Sequence, residues 1–199
     1  ILRCLVGSEM CIRDRGFLVN SGSEANELAV RLARSFTGNH DMAVIEGAYH
    51  GHTGMLIDLS PYKFRGPGGH GSPKAWVHVL PIPDTYRRPA IDYSGEAMEK
   101  MKQAGPLAGL LIESMLSCAG QVSLPPGYFS DVASAVRKQG GLLIADEVQV
   151  GFGRVGTHMW AFQESGVVPD IVVMGNPIGN GHPMAAVFTT PEIASSFGD

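Results

Sequence analysis

An α/β fold, with a mostly parallel central sheet and helices on both faces, is what this chain predicts. Short apolar runs recur along its 199 residues with helical stretches between them. Several of these runs lack in-and-out alternation, as expected of strands covered on both faces. The length suits a single domain, long enough to bury roughly 70% of its unfolded surface in one core.

Phe17 to Asn20 is the first strand candidate, and the clearest helix follows Ser23. There Ala25, Leu28, Ala29, Leu32, Ala33 and Phe36 recur at helical spacing, and Glu27 stands four residues before Arg31. Ser21 and Glu24 have the spacing of a capping box. Met42 to Glu46 is a second strand, and from Ser60 to Pro89 the chain is rich in proline and glycine. That stretch reads as a long ordered excursion, broken by a strand at Ala75 to Leu80. Helices are expected near Tyr93 to Gln103 and Tyr128 to Gln139, with strands at Leu107 to Glu113, Gly141 to Glu147, Asp170 to Met174 and Met184 to Thr189.

Charged residues at 17%, hydrophobic residues at 44% and a formal net charge of −4 leave no basic stripe for nucleic acid or an anionic membrane. Cys4, Cys11 and Cys118 are odd in number and form no C-x-x-C pair, so no disulfide framework or zinc knuckle is expected and a reducing compartment fits best. No apolar run approaches the ~20 residues needed to span a bilayer. A soluble intracellular protein is expected, with mitochondrion and cytoplasm not distinguished.

Several short segments carry chemistry. Ser21-Gly22-Ser23-Glu24 sits between a strand and a helix, so free amides point outward where an anion gains ~0.3–1 kcal/mol, or up to ~2 when partly buried. Gly22 permits close approach of a phosphate. A plain helix cap is the simpler reading of the motif alone. Tyr49 follows the second strand, at the end where ligands gather in open α/β sheets, and could cover a ring or merely edge the core. His50 and His52 suggest a metal, but no third ligand is spaced to help them. Asp146 ends the run Leu142-Leu143-Ile144-Ala145, and a carboxylate at the tip of a buried strand needs a partner. Gly66-Pro67-Gly68-Gly69-His70-Gly71 has the dinucleotide-binding spacing without the strand before it and the helix after it, and reads as a loop.

Taken together, Asn20-Ser21-Gly22-Ser23-Glu24-Ala25-Asn26, Ala48-Tyr49-His50-Gly51-His52 and Ile144-Ala145-Asp146-Glu147-Val148-Gln149 resemble the class III pyridoxal-phosphate (PLP) aminotransferases. The resemblance implies the large domain of a fold-type I PLP enzyme, matched over 16–199. It implies that Gly22 and Ser23 hold the cofactor phosphate, and that Tyr49 and Val148 lie on opposite faces of the pyridine. Asp146 then meets the ring nitrogen, Gln149 the 3′-oxygen, with Glu113 beside it. An acid within ~4–6 Å moves a pKa by ~1–3 units, enough to keep such a ring protonated.

In the family a lysine after Met-Gly holds PLP as a Schiff base and moves the substrate proton. Here Met174-Gly175 is followed by Asn176. A chain with asparagine there is expected to be nearly inactive, whether the residue is a sequence error, an engineered change or a natural pseudoenzyme's. Ser60-Pro61-Tyr62-Lys63-Phe64, Pro83-Asp84-Thr85-Tyr86-Arg87 and Asn180-Gly181-His182-Pro183 narrow the resemblance to the subgroup of alanine-glyoxylate aminotransferase 2, ethanolamine-phosphate phospho-lyase and phosphohydroxylysine phospho-lyase. It implies a primary amine or amino-acid substrate, a keto-acid acceptor in transamination or loss of phosphate in elimination, and a homodimer. Lys63, Arg65, Arg87 and Arg88 could receive a substrate phosphate or be solvated loop charges.

Residues 1–15 match nothing in the family, and Cys4 to Arg15 resembles a translated sequencing adapter. The family's N-terminal segment and C-terminal small domain are expected to be missing on either side, leaving apolar faces and strand edges exposed.

Overall fold

The computed structural model describes residues 15–197; residues 1–14, and with them nearly all of the segment expected to match nothing in the family, lie outside the described residues. Seven strands form one sheet: β1 (Arg15–Val19), β2 (Asp41–Ile45), β3 (Val77–Leu80), β4 (Leu107–Glu113), β5 (Leu142–Asp146), β6 (Ile171–Met174) and β7 (Ala185–Thr189). Their spatial order is β1-β7-β6-β5-β4-β2-β3. Strands β2 to β6 pair in parallel, while β7 is antiparallel to both β6 and β1. Thus β1 runs with the parallel set and β7 alone opposes it.

Every predicted strand is present, with small shifts at its ends. β1 begins at Arg15 because that residue pairs with Thr189. β3 begins at Val77 because the preceding residues close a turn, with the Val77 amide donating to the Lys74 carbonyl at 2.9 Å.

The helices are α1 (Gly22–Thr37), α2 (Gly54–Asp58), α3 (Pro61–Phe64), α4 (Tyr93–Ala104), α5 (Tyr128–Lys138) and α6 (Pro191–Ser195). Helix α1 starts with the expected capping box: Ser21 Oγ accepts the Glu24 amide at 3.2 Å, and Glu24 accepts the Asn20 amide at 2.6 Å. Its buried stripe differs from the predicted one at four positions, since Phe36 is exposed and Leu28 only half-buried, while Asn26 and Val30 are buried. Helices α2, α3 and α6 have four or five residues, too few to show a period in the sequence.

Successive strand residues feed two cores, one on each face. Met42, Val44, Leu111, Ile144 and Val173 pack with Ala25, Ala29 and Leu32 of α1. Ala43, Ile45, Leu110, Ile112 and Leu143 pack on the other face with Met101 of α4 and Tyr128, Val132 and Val136 of α5. The dinucleotide-like glycine run at Gly66 to Gly71 follows α3 and precedes β3, and consists of turns and bends.

Since β1, β2, β4, β5 and β6 run the same way, their carboxyl ends share one edge of the sheet. That edge carries the loop into α1, the Tyr49 loop, Glu113, Asp146 and Asn176. Close strand contact underlies this edge: a Cβ on Gly109 in β4 would lie 2.6 Å from the Leu142 carbonyl oxygen. Gly109→Ala is therefore expected to destabilise the fold by about 1–3 kcal/mol. A lower urea midpoint at unchanged slope would register it, and an unmoved midpoint would contradict the tight β4–β5 contact.

Candidate active site

A cleft of about 250 Å³ opens at this edge, lined by Ser21, Gly22, Ser23, Asn26, Tyr49, His50, Gly51, His52, Glu113, Asp146, Val148, Gln149 and Asn176. Each residue singled out in the sequence for cofactor or catalysis lies on its wall. On one side is the first turn of α1, where amides have no intrahelical acceptor. The Glu24 amide goes to Ser21 Oγ and the Ala25 amide to the Ser21 carbonyl, leaving those of Gly22 and Ser23 at the cleft.

Asp146, at the tip of β5, is buried and held by three donors. Asn26 Nδ2 and His50 Nδ1 each donate to its Oδ2 at 2.8 Å, and the Val148 amide donates to Oδ1 at 3.1 Å. Asn26 Nδ2 also donates to the His50 carbonyl at 2.9 Å, tying α1 to the Tyr49 loop. Two atoms of this network, Asn26 Oδ1 and His50 Nε2, are buried without a hydrogen-bond partner among the described residues.

Val148 forms another wall. A Cβ on Gly22 would lie 3.0 Å from its methyl groups, and one on Gly175 would lie 2.6 Å from Cγ1. Glycine at both positions is what lets the valine seat where it does. Gln149 and Asn176 are exposed at the rim, Asn176 opening a 3-10 turn over Asn176–Gly179.

Glu113, at the tip of β4, accepts the Tyr49 amide at 3.0 Å, the Ser117 amide at 3.0 Å and the Ser117 hydroxyl at 2.6 Å. Burial raises its pKa above the ordinary carboxylate value, opposed by His50 and reinforced by Asp146. With these donors on it, Glu113 fixes the loop that carries Tyr49. Glu147, wholly buried, has its pKa raised by burial too. It accepts the amides of Ala161 and Phe162 at 2.8 and 3.0 Å and the Ser114 hydroxyl at 2.5 Å. This pins the segment after the Asp146 loop.

Of the four loop cations, three face carboxylates: Arg65 with Glu46, Arg87 with Asp84 and Arg88 with Glu96. Lys63 instead places its ammonium 5.7 Å from the Tyr49 ring centre and 5.5 Å from that of Tyr62. Among the described residues no three His, Cys, Asp or Glu side chains cluster as a metal site. No helix among them is long and apolar enough to cross a membrane.

The sequence profile "Aminotransferase class-III" matches residues 3–199. The chain belongs to this family. Within it, an alanine–glyoxylate aminotransferase 2-like protein of Drosophila melanogaster is 50% identical over 196 residues, covering 91% of this chain and 40% of the relative. A phospholyase from Arthrobacter, solved in complex with phosphoethanolamine, is 41% identical with a TM-score of 0.82, covering 92% of this chain and 45% of that one. An amine transaminase from an uncultivated Pseudomonas species, solved with PLP bound, is 26% identical with a TM-score of 0.81, covering 92% and 45%. This class-III chain therefore spans less than half the length of these relatives.

Sequence reasoning passed over Asn26 and weighed His50 only as a metal ligand. The available signal was polarity in the wrong place: Asn26 lies on the buried stripe of α1 among alanines, and a buried amide needs a partner.

Glu147 yields a signed prediction. A carboxylate whose folded pKa is raised contributes stability that is present below the unfolded value and lost as pH rises through the folded one. The Ser114 hydroxyl offsets part of that loss by serving the ionised form. Ser114→Ala is expected to cost about 1.5–3 kcal/mol once Glu147 is ionised, and less near pH 4 where it is protonated. Urea unfolding at both pH values checks this; an equal cost at each would contradict it.

Proposed function

We propose that the protein binds pyridoxal 5′-phosphate in this cleft and acts, as part of a longer polypeptide, on a primary amine or amino acid. The observation that carries the reading is that free helix amides and a buried, anchored carboxylate share one cleft. The donor set fits the group. The phosphate would be held by the Gly22 and Ser23 amides and the Ser23 hydroxyl, as an anion at a helix N-terminus. Gly22 brings the backbone close, since a side chain there would press on Val148. The pyridine would lie between Val148 and Tyr49, with its nitrogen at Asp146 and Gln149 toward its hydroxyl oxygen.

When bound, PLP supplies an electron sink that stabilises negative charge on the carbon next to the substrate nitrogen. The chain's own groups do the rest. Asn26, His50 and the Val148 amide fix the Asp146 carboxylate, so its geometry is set before any ligand arrives. Glu113 holds the Tyr49 loop so that the ring can cover a flat ligand and exclude water.

Asn176 sits where a covalent anchor and proton carrier belong, and an amide can serve as neither. A positioned acid–base group is worth ~10²–10⁴-fold, so the chain with Asn176 is nearly inactive while still able to hold the cofactor noncovalently. Transamination, with a keto acid as the second substrate, is the main reading, and a homodimer the active unit. The phospho-lyase reading is favoured by one feature: Lys63 faces the Tyr49 and Tyr62 rings and, among the described residues, has no carboxylate partner, so a substrate phosphate would find its charge available.

Asn176→Lys in the full-length protein is the test. The lysine variant is expected to give a near-visible cofactor band that borohydride fixes to the protein, and to raise amine turnover by at least about 10²-fold. The asparagine form is expected to shift PLP absorbance without covalent fixation. If the lysine variant showed neither band nor turnover, the reading would be wrong.

A further inference from the structure

Ser23, the residue placed at the cofactor phosphate, has a second partner. Its Oγ lies 3.0 Å from His52 Nδ1 and accepts the His52 backbone amide at 3.3 Å. Both side chains line the cleft, and His52 is exposed to solvent. The pairing is built in by Gly51, whose φ is 142°; a Cβ there would lie 2.7 Å from Ser23 Oγ. Any other residue at 51 would push the histidine loop off the start of α1.

A hydroxyl has one proton, and here two acceptors want it. When Nδ1 is bare, Ser23 donates to the ring and has no proton left for a ligand. When Nδ1 carries a proton, as in the neutral Nδ1–H tautomer or the imidazolium, the ring donates to Oγ and the Ser23 proton is free to point into the cleft; an anion beside the ring favours the imidazolium of the two.

We propose that His52 is a positioning residue that takes up a proton when a phosphate docks at Ser23. This rests on the PLP reading above. The balance is simple: one proton moves from solvent to the imidazole, Nδ1–H···Oγ replaces Oγ–H···Nδ1, and the freed hydroxyl donates to a phosphate oxygen. No covalent bond changes apart from the new N–H. The imidazolium also brings a positive charge to the phosphate end of the cleft.

The neighbouring titratable groups are otherwise engaged. On α1, Glu24 accepts the Asn20 amide and Glu27 the Thr53 hydroxyl. Across the cleft His50 is bonded to Asp146, and Glu113 to Tyr49 and Ser117. On α2, Asp58 faces His70 at 3.5 Å.

Proton uptake on binding makes affinity rise as pH falls. The ligand's own phosphate, which loses its second proton near pH 6, gives an opposite trend that is common to every variant. The experiment therefore titrates PLP and pyridoxal, which lacks the phosphate, into the purified protein and into His52→Gln and His52→Asn, at about pH 6 and pH 8, following cofactor absorbance. The ratio of PLP affinities, unaltered protein over variant, is expected to rise about 3- to 10-fold from pH 8 to pH 6. The pyridoxal ratio is expected to stay flat. A flat PLP ratio, or an equal rise with pyridoxal, would overturn the proposal. If neither ligand changes absorbance with any of the proteins, the cofactor reading itself fails and this inference with it. Calorimetry in two buffers of different ionisation enthalpy reads the proton directly: uptake with PLP must shrink in the glutamine variant.

Discussion

A carboxylate at the end of a fully buried strand cannot be left to find its own partners. Asp146 ends β5, between β4 and β6, and its two oxygens are held from three directions by α1, by the Tyr49 loop and by its own turn. Each of these bonds has a structural consequence. The Asn26 bond sets how α1 lies over the strand ends, the His50 bond draws the β2 loop inward, and the Val148 amide bends the chain so that the valine faces Gly22 and Gly175. The cleft is what remains between elements that this one side chain gathers.

Polarity is organised along the same edge. Glu113 and Glu147 also stand at or next to strand ends, buried and bonded mainly to backbone amides of loops. Burial alone would favour their neutral forms, and the donors around them offset part of that cost. Three acids at adjacent positions thus do different work: Glu113 sets the Tyr49 loop, Glu147 sets the segment after β5, and Asp146, which like Glu113 lines the cleft, gathers α1, the Tyr49 loop and its own turn.

Much of this was legible in the sequence, for physical reasons that can be named. Buried strands are continuous apolar runs, so all seven could be read, and their ends strayed only where pairing or a turn decided them, as at Arg15 and Val77. The capping box at Ser21 and Glu24 is local, so spacing revealed it. The four- and five-residue helices were not legible because they complete barely one turn. Asn26, His50 and the Ser23–His52 pair were missed for another reason: their partners lie 24 to 120 residues away along the chain, and only the folded sheet brings them together. The loop cations differ: the carboxylates that set Arg65, Arg87 and Arg88 apart from Lys63 are only 19, 3 and 8 residues away, but these arginines lie in irregular segments where spacing does not reveal a pair.

The account stands on one cleft having an anion end and an acid end for the same ligand. A crystal structure of the protein soaked with PLP measures this most directly. The account predicts the phosphate against the Gly22 and Ser23 amides and the pyridine nitrogen within hydrogen-bond distance of Asp146, with the ring against Val148. PLP bound elsewhere, or lying in the cleft with its nitrogen away from Asp146, would contradict it.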